Sequence, residues 1–268
     1  MKPHCIASPQ NPIIKEIAAL RNARQRRKQG RILIDGGRDI LRAIEAGWRI
    51  EYIVCCETES DENFDAAAAT LAANGRVKWI QTTPAAHSRL AYGESTKAVA
   101  VVEPRVWSWA DVLPEPNGDA TVVILDRIEK PGNVGAVLRC CDALNVRGVV
   151  LSDGICELYN PNAIRSSTGA IFWLPVLEST AQTAADRLTQ AGFSFFAARI
   201  DAQAEDYAAV QWGKRRAIIF GSEAEGLGNR WEGSNIRNVM IPMSGRADSL
   251  NVSVAAAVVL AEIRRNSA

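Results

Sequence analysis

Three polar segments of the chain each follow an apolar, strand-like run and carry residue types that could bind a small molecule. The last of them runs from Ile241 to Arg265 and passes through Ser249 and Asn251 into an Ala/Val-rich helix. A loop at the mouth of a buried helix offers unpaired backbone amides and short side-chain donors, which are common components of a ligand pocket. Capping of the helix by Asp248 or Ser249, with Asn251 in its first turn, would explain the same residues without a ligand.

The first segment, Leu125 to Arg139, places an asparagine and an arginine behind a predicted strand that ends at Asp126. Its Pro-Gly-Asn turn predicts a helix with Asn133 at the capping position. Arg139 is expected on the polar face of that helix, because the residues beside it are apolar or cysteine. A guanidinium there could hold a phosphate through paired hydrogen bonds, although solvent exposure alone also accounts for its position.

The second segment, Ala217 to Gly228, presents a carboxylate among glycines at the end of an apolar strand. Glu223 lies between Gly221 and Gly226, and this spacing does not match the G-x-G-x-x-G fingerprint of dinucleotide-binding folds. A nucleotide-dependent oxidoreductase is therefore disfavoured. The carboxyl end of a parallel strand is nevertheless where α/β proteins bind ligands. An ordinary strand-to-loop turn is the alternative interpretation.

Alternating strands and helices must position these segments, and the alternation occurs in two blocks. Residues 1–103 predict a small α/β domain, and residues 120–268 predict a larger one with a mainly parallel sheet. Residues 104–119 are rich in Pro, Trp and acidic side chains and show no clean period, so we interpret them as a linker. Trp107 and Trp109 within this linker are expected to pack on a neighbouring surface.

The composition is that of a globular protein and restricts the possible partners. The chain has 268 residues, of which 47% are apolar and 23% charged, with a formal net charge of +1. The field of the whole protein therefore does not favour a polyanionic partner, which would have to be bound by local clusters of charge. No apolar run approaches membrane-spanning length, and the N-terminal residues lack the apolar core of a signal peptide.

The cysteines and histidines argue against a metal site or a disulfide framework. None of the six cysteines forms a C-x-x-C pair, and the only histidines are His4 and His87. We therefore expect a protein that needs no metal and resides in a reducing cytoplasm.

The order and spacing of the three segments resemble the SPOUT superfamily of RNA methyltransferases, and within it the TrmH (SpoU) family of RNA ribose 2′-O-methyltransferases. The family's three motifs match NVGAVLR, FGSEAEGLG and IPMSGRADSLNVSVAAA, and RILIDGGRDILRAIEAG resembles the L30e-like substrate-binding domain that often precedes the catalytic domain. Lys130, Asn145 and Asp35 depart from the usual pattern. The resemblance implies a SPOUT α/β fold with a deep trefoil knot and a homodimer formed through the C-terminal domain.

The resemblance also implies S-adenosylmethionine as cofactor, bound where the second and third motifs meet. The expected cofactor contacts are Phe220, Gly221, Glu223, Gly226, Ile241, Pro242, Leu250 and Asn251. The expected catalytic residues are Arg139, Asn133, Glu223, Ser249 and Asn251. The family's counterpart of Arg139 is usually assigned to activation of the ribose hydroxyl. Because arginine stays protonated at neutral pH, clamping of a substrate phosphate is an equally sound role.

A basic run near the N-terminus could provide the local positive charge that RNA binding needs. It comprises Arg21, Arg24, Arg26, Arg27, Lys28 and Arg31. A solvated helix face is the alternative interpretation. We expect ribosomal RNA as the substrate in preference to transfer RNA. A non-catalytic RNA-binding protein with the same fold is the competing hypothesis, and the retained Arg139, Asn133 and Asn251 argue against it.

Overall fold

The computed structural model describes residues 4–56, 62–72, 77–92, 98–115, 118–233 and 235–266. The chain divides into two compact units. The first comprises Met1–Val106 together with Tyr159–Arg165, and the second comprises Trp107–Leu158 and Ser166–Ala268. A short segment from early in the second half of the sequence thus belongs to the N-terminal unit.

The first unit is a five-stranded mixed sheet covered by helices. Its strands lie in the order β1-β4-β3-β5-β2, with β4 parallel to β1 and β3, and β5 antiparallel to β2 and β3. The strands are β1 (His4–Ile6), β2 (Ile32–Asp35), β3 (Arg49–Cys56), β4 (Lys78–Thr82) and β5 (Ala98–Glu103). The helices are α1 (Pro12–Ala19), α2 (Ala23–Gln29), α3 (Gly37–Glu45), α4 (Glu62–Ala72) and α5 (Pro84–His87).

Most of the basic run lies on a helix of its own, α2, which is separate from α1. The side chain of Asn22 accepts a hydrogen bond from the backbone N–H of Arg24 at 2.9 Å and so caps a new helix, α2. Gly30 ends α2 in the left-handed conformation, with φ of 62°. The Asn22 cap separates α2 from α1, whose Ile14 and Ile17 are buried in the core of the first unit.

The second unit is built on a parallel sheet, which confirms the predicted α/β class. Its seven described strands lie in the order β10-β12-β9-β11-β6-β7-β8, and every pairing is parallel. The strands are β6 (Ala120–Asp126), β7 (Gly148–Ser152), β8 (Val176–Ser179), β9 (Ser194–Ala198), β10 (Glu205–Asp206), β11 (Arg215–Phe220) and β12 (Ile236–Met240). The helices are α6 (Trp109–Val112), α7 (Pro131–Ala143), α9 (Ala170–Trp173), α10 (Ala181–Gln190) and α11 (Val252–Asn266). Most of helix α8 (Pro161–Ser167) falls in the segment Tyr159–Arg165, which is part of the first unit.

The inner strands of this sheet are mostly buried. Every residue of β6 and β7 is buried, as expected for parallel strands covered on both faces. The segment predicted as a linker contains α6, whose Val112 is fully buried, and Trp107 and Trp109 pack on the same core. Residues 116 and 117 of that segment lie outside the described residues. Threading of the C-terminal chain into a knot stays a prediction.

Two helix starts differ from the sequence-based predictions. Helix α7 begins at Pro131, so Lys130 occupies the capping position and Asn133 lies in the first turn. Helix α11 is capped by Asn251, whose Oδ1 accepts from the backbone N–H of Ser253 at 2.9 Å, and not by Asp248 or Ser249. As a result, the Asn133 side chain is not used as a helix cap, whereas the Asn251 side chain is. Both asparagines belong to the site described below.

Candidate functional site

A cavity of about 860 Å³ opens at the carboxyl ends of three adjacent strands of the second unit, β9, β11 and β12. Its walls come mainly from residues 198–202, 220–223, 225–229, 239–241 and 249–252. The carboxyl edge of a parallel sheet is the usual place for a ligand, because loops there diverge and leave backbone groups unpaired. The cavity has the volume of a small-molecule site.

The loop after β11 is folded tightly back on itself, and its glycines make this possible. The backbone N–H of Ser222 donates to the carbonyl of Gly226 at 3.1 Å, and the N–H of Gly226 donates back at 3.0 Å. A Cβ atom at Gly221 would overlap the backbone of Gly226 and Leu227. Gly226 also adopts φ of 60°, a left-handed conformation that favours glycine. The residues of this fold-back line the cavity.

A chain of side-chain hydrogen bonds connects Glu223, in the cavity wall, with the starts of helices α7 and α11. Asn133 Nδ2 donates to the carboxylate of Glu223, and Asn251 Nδ2 donates to Asn133 Oδ1 at 3.2 Å. Asn251 Oδ1 in turn accepts from the Ser253 hydroxyl at 2.7 Å and from the Ser253 backbone N–H. The sequence therefore predicted three residues that the fold does bring together.

The orientation of both amides in this chain follows from hydrogen-bonding chemistry. A backbone N–H can only donate, so the oxygen of Asn251 must face Ser253 and its NH₂ must face Asn133. The oxygen of Asn133 then receives that bond, and its NH₂ faces Glu223, which is an acceptor when ionised. Every donor in this chain of hydrogen bonds therefore faces an acceptor, and the bond from Asn133 fixes the orientation of the Glu223 side chain.

The remaining two predicted catalytic residues are not part of this chain. Ser249 is exposed in the cavity wall. Arg139 lies on α7, is exposed, and makes no hydrogen bond or ion pair with the described residues. Its guanidinium is therefore available to a partner outside the chain.

Seven of the eight expected cofactor contacts line the cavity; Pro242 does not, although its neighbours Ile241 and Met243 do. The sequence reasoning missed the wall formed by residues 198–202, which follow β9, and it missed Lys130. These residues carry no motif. Only the position of β9 between β11 and β12 brings them to the cavity, and strand order was not readable from the sequence.

The basic run in the first unit separates into two groups. The guanidinium of Arg21 forms a two-pronged ion pair with Asp35 and also donates to the carbonyl of Leu90. Arg26 is only 5% exposed and donates to backbone carbonyls at the end of α1, and Arg31 pairs with two glutamates. These three arginines are thus engaged within the protein.

The other three members of the run are exposed on α2. Arg24, Arg27 and Lys28 make no side-chain hydrogen bond or ion pair within the described ranges. They form a cluster of available positive charge, which we call the α2 cluster. Its sequence signal is spacing: Arg24, Arg27 and Lys28 share one helical face, and Arg26 lies on another.

The cysteines of the second unit have the properties of packed side chains. Burial raises the pKa of the Cys140 thiol, and it raises the pKa of Cys156 to about 11. Burial raises the pKa of Cys141 well above its ordinary value. Their thiolates are therefore scarce at neutral pH, which makes them poor nucleophiles. Within the described residues, no three His, Cys, Asp or Glu side chains are grouped so as to hold a metal ion.

No helix within the described ranges combines the length and the apolarity that a membrane crossing requires.

Comparisons with known proteins match both units of the chain. Residues 120–261 match the SpoU rRNA Methylase family, and residues 11–100 match the MRM3-like substrate binding domain. A 23S rRNA (uridine(2479)-2′-O)-methyltransferase from Streptomyces viridochromogenes is 29% identical over 255 residues, covering 92% of this chain and 87% of that protein. The 23S rRNA (guanosine(2553)-2′-O)-methyltransferase RlmP of Bacillus subtilis is 26% identical, covering 97% of this chain and 98% of that protein.

A solved structure agrees over nearly the full length. The SpoU methyltransferase AviRb from Streptomyces viridochromogenes, crystallised with the cofactor AdoMet, superposes with a TM-score of 0.86 at 26% identity. The match covers 96% of this chain and 98% of that one. The family match spans the cavity, the glycine loop and the Asn133–Glu223–Asn251 chain. The protein belongs to the SpoU rRNA methylase family.

Proposed function

We propose that the protein is an S-adenosylmethionine-dependent RNA ribose 2′-O-methyltransferase that acts on ribosomal RNA. The observation that carries this proposal is the convergence of Asn133, Glu223 and Asn251 at a cavity whose walls are the second and third motifs. Two relatives that align over most of the chain are named 23S rRNA 2′-O-methyltransferases, which favours ribosomal over transfer RNA.

The cavity suits S-adenosylmethionine in size and in chemistry. Main-chain groups of the folded-back loop at Gly221 and Gly226 would hold the polar edges of the cofactor, and Ile241 and Leu250 would cover its apolar surface. When bound, the cofactor would supply a methyl group bonded to a sulfonium sulfur, which would leave as a neutral thioether. The carboxylate of Glu223, fixed by Asn133, adds negative charge that would balance that sulfonium.

Positioning of the ribose is the main task left to the protein. Alignment of two reactants can account for several kcal/mol of a reaction barrier. We assign Arg139 to a fork that holds an RNA phosphate and turns the 2′-hydroxyl towards the cavity, because its guanidinium is exposed and stays protonated. Ser249, exposed in the cavity wall, would contribute a hydroxyl to the same ribose.

We further propose that residues 1–103 bind the RNA substrate, that residues 104–119 link the domains, and that residues 120–268 carry out catalysis. The match of residues 11–100 to a substrate binding domain supports this division. Arg24, Arg27 and Lys28 would contact the RNA backbone, which gives affinity without base recognition. A cytoplasmic location and a metal-independent reaction complete the proposal.

A homodimer formed through the C-terminal domain is also proposed. Val254 on α11 is 47% exposed and Trp173 on α9 is 49% exposed. Helices α9 and α11 both contact α7, so these apolar side chains lie on helices that flank the one carrying Arg139. A second copy of the chain that packs on these helices would bury both side chains close to the proposed catalytic site.

The decisive experiment offers unmodified ribosomal RNA and transfer RNA to the protein with labelled S-adenosylmethionine, followed by nucleoside analysis. A 2′-O-methylated nucleoside from ribosomal RNA is expected. The same product from transfer RNA alone would overturn the assignment of substrate, and a base-methylated nucleoside would overturn the ribose assignment. Cofactor and RNA binding without transfer to either RNA would identify a binding protein instead of an enzyme.

A further inference from the structure

The cofactor loop, residues 221–230, is tied to a second segment of the same unit at three points. That segment, residues 126–133, joins the end of β6 to the start of α7 and ends at Asn133. Glu223 accepts from Asn133, Glu225 pairs with Arg127 at 3.2 Å, and Arg230 pairs with Asp126. The pairs follow each other in antiparallel order, so the two segments are fastened side by side.

The Arg230–Asp126 link is the only one of these three that reaches the interior. Asp126 is 1% exposed, and its carboxylate receives Arg230 Nε at 3.0 Å and a second guanidinium nitrogen at 3.3 Å. The Ser152 hydroxyl donates to the same carboxylate at 2.6 Å, and Arg230 also pairs with Asp153. One guanidinium therefore fastens the far end of the cofactor loop to the carboxyl ends of both β6 and β7.

The other ion pair between the segments is of a different kind. The side chains of Arg127 and Glu225 are 37% and 67% exposed, so water and salt screen their attraction. Asp126 has no such screening, and a buried carboxylate is costly unless a cation and hydrogen bonds accompany it. The bonds to Asp126 and Asp153 accordingly raise the pKa of Arg230. Arg230 is thus held more firmly than the exposed pair.

The backbone between these anchors forms a wall of the cavity. Leu227, Gly228 and Asn229 line it, and they immediately precede Arg230. Arg199, just after β9, supports the same stretch by donating to the carbonyls of Gly228 and Trp231. A loop with two glycines in left-handed conformations would otherwise lose much conformational freedom on binding a ligand.

We infer that Arg230 is a positioning residue for the transfer reaction, because it fixes the cofactor loop in its cavity-forming shape and fastens it to the segment that carries Asn133. Arg230 does not line the cavity, so it acts through the loop. The inference rests on the proposed function, since it takes the cavity to be the S-adenosylmethionine site. Its consequence is that cofactor affinity depends on an ion pair that the cofactor does not touch.

The test compares Arg230→Lys with Arg237→Lys. Arg237 forms a similar two-pronged pair with Glu205, at 2.8 and 2.6 Å, outside the cavity walls, and so controls for loss of a guanidinium fork. The double variant Asp126→Asn/Arg230→Gln removes both charges and avoids an unpaired buried carboxylate. Hydrogen exchange of the apo proteins and calorimetric titration with S-adenosylmethionine are measured on the full chain.

Arg230→Lys and the double variant should exchange the amides of residues 222–229 faster and bind S-adenosylmethionine about tenfold more weakly. Their KM for the cofactor should rise while kcat at saturating cofactor and KM for RNA stay near wild type. A merely destabilised protein would instead lose kcat in proportion to its unfolded fraction. Arg237→Lys should resemble wild type in every measurement.

Three outcomes overturn the inference. Unchanged cofactor affinity in both Arg230 variants, with the wild type binding normally, would refute it and leave the proposed function intact. Equal losses in Arg230→Lys and Arg237→Lys would show a general effect of arginine replacement. Failure of the wild-type protein to bind S-adenosylmethionine would refute the proposed function and, with it, the positioning role.

Discussion

Asn251 uses the two ends of one amide group for two tasks. Its oxygen caps α11, and its NH₂ donates to Asn133 and so orients the hydrogen bond to Glu223. An asparagine fits this position better than other capping residues, because serine, threonine and aspartate also cap helices but present no amide donor. The capping and the site geometry can therefore be separated by substitution.

Asn251→Asp should keep the stability of the protein and lose activity. Aspartate caps as well as asparagine, but its carboxylate would oppose the oxygen of Asn133, and a flipped Asn133 would oppose Glu223 instead. We expect kcat/KM to fall about tenfold or more, because Glu223 would lose the hydrogen bond that fixes its orientation in the site. Asn251→Ala should show a similar fall in kcat/KM, and its free energy of unfolding should also fall by about 1 kcal/mol.

Denaturant unfolding and steady-state methyl transfer measure the two effects. Asn11→Asp is the matched control, since Asn11 caps α1 through the same type of bond to the N–H of Ile13 at 2.9 Å. Full activity in Asn251→Asp would show that the amide donor has no part in the site.

Arg139→Ala should abolish transfer and leave cofactor binding nearly intact. Arg139 is exposed on α7 without a hydrogen bond or ion pair to the described residues, so its removal should not disturb the fold. Loss of a group that orients the substrate and stabilises developing charge is expected to reduce kcat about a hundredfold or more. Calorimetric titration with S-adenosylmethionine and a transfer assay check this, with Arg187→Ala on α10 as an exposed control. Loss of cofactor affinity would contradict the assigned role.

At the scale of single elements, helix α2 shows how a charged run divides between structure and function. The same seven residues supply buried Arg26, which holds the end of α1, and the exposed cations Arg24, Arg27 and Lys28. Composition alone could reveal the positive charge of the run. Only the helical rotation and the position of Asn22, which restarts the helix, determine which arginines face solvent.

Replacement of Arg24, Arg27 and Lys28 by Gln should weaken RNA binding and flatten its salt dependence. Each lost phosphate contact reduces the slope of log K against log salt by about 0.7 to 0.9, so three contacts predict a change of about 2 to 3. Filter binding over a range of salt concentrations measures it. Arg49→Gln, an exposed cation on β3, should leave the slope unchanged. An unaltered slope in the triple variant would show that the α2 cluster is a solvated surface that does not contact RNA.

Arg26 belongs to the opposite class of prediction. Because Arg26 is 5% exposed and donates to the carbonyls of Leu20 and Arg21, its replacement should lower stability and not the salt slope. It therefore should not be combined with the exposed α2 residues in a test of RNA binding.

At the scale of the whole molecule, the sequence predicts where the strands lie along the chain better than it predicts their order in the sheets. Strand positions such as β6 and β11 are predictable from apolar runs, because burial on both faces leaves a strong signal. The short strands β1 and β10 leave none. The order of the strands, which brings residues 198–202 into the cavity, depends on contacts between distant segments. The inclusion of Tyr159–Arg165 in the first unit likewise has no local sequence signal.

The glycine loop and the third motif could be placed at the site because their chemistry is local. Gly221 permits a backbone contact that any side chain would block, and this requirement is visible in the sequence as a glycine. A backbone requirement of this kind is not always visible as a glycine. Asn145 adopts φ of 58° after α7, where glycine is the usual residue, because asparagine tolerates this conformation. The capping role predicted for Asn133 was wrong, since helix α7 begins with Pro131.

The proposed dimer predicts that Val254→Arg yields a monomer. Val254 is a half-exposed apolar residue on α11, and a charge buried in an interface without a partner is strongly unfavourable. Sedimentation at micromolar concentration should show a dimer for the wild type and for the control Val106→Arg, whose side chain is 91% exposed. A dimeric Val254→Arg protein would place the interface elsewhere, and a monomeric wild type would refute the dimer.

The pairing of β6 with β11 has a consequence for how the protein folds. The guanidinium of Arg216 on β11 bonds the hydroxyl of Thr121 on β6, across 95 positions of sequence. The centre of the second sheet therefore forms only after a long stretch of chain has closed, and such non-local parallel pairing is slow. We expect refolding from denaturant to lag well behind that of a helical protein of equal size. Until it is complete, apolar strands stay open to aggregation.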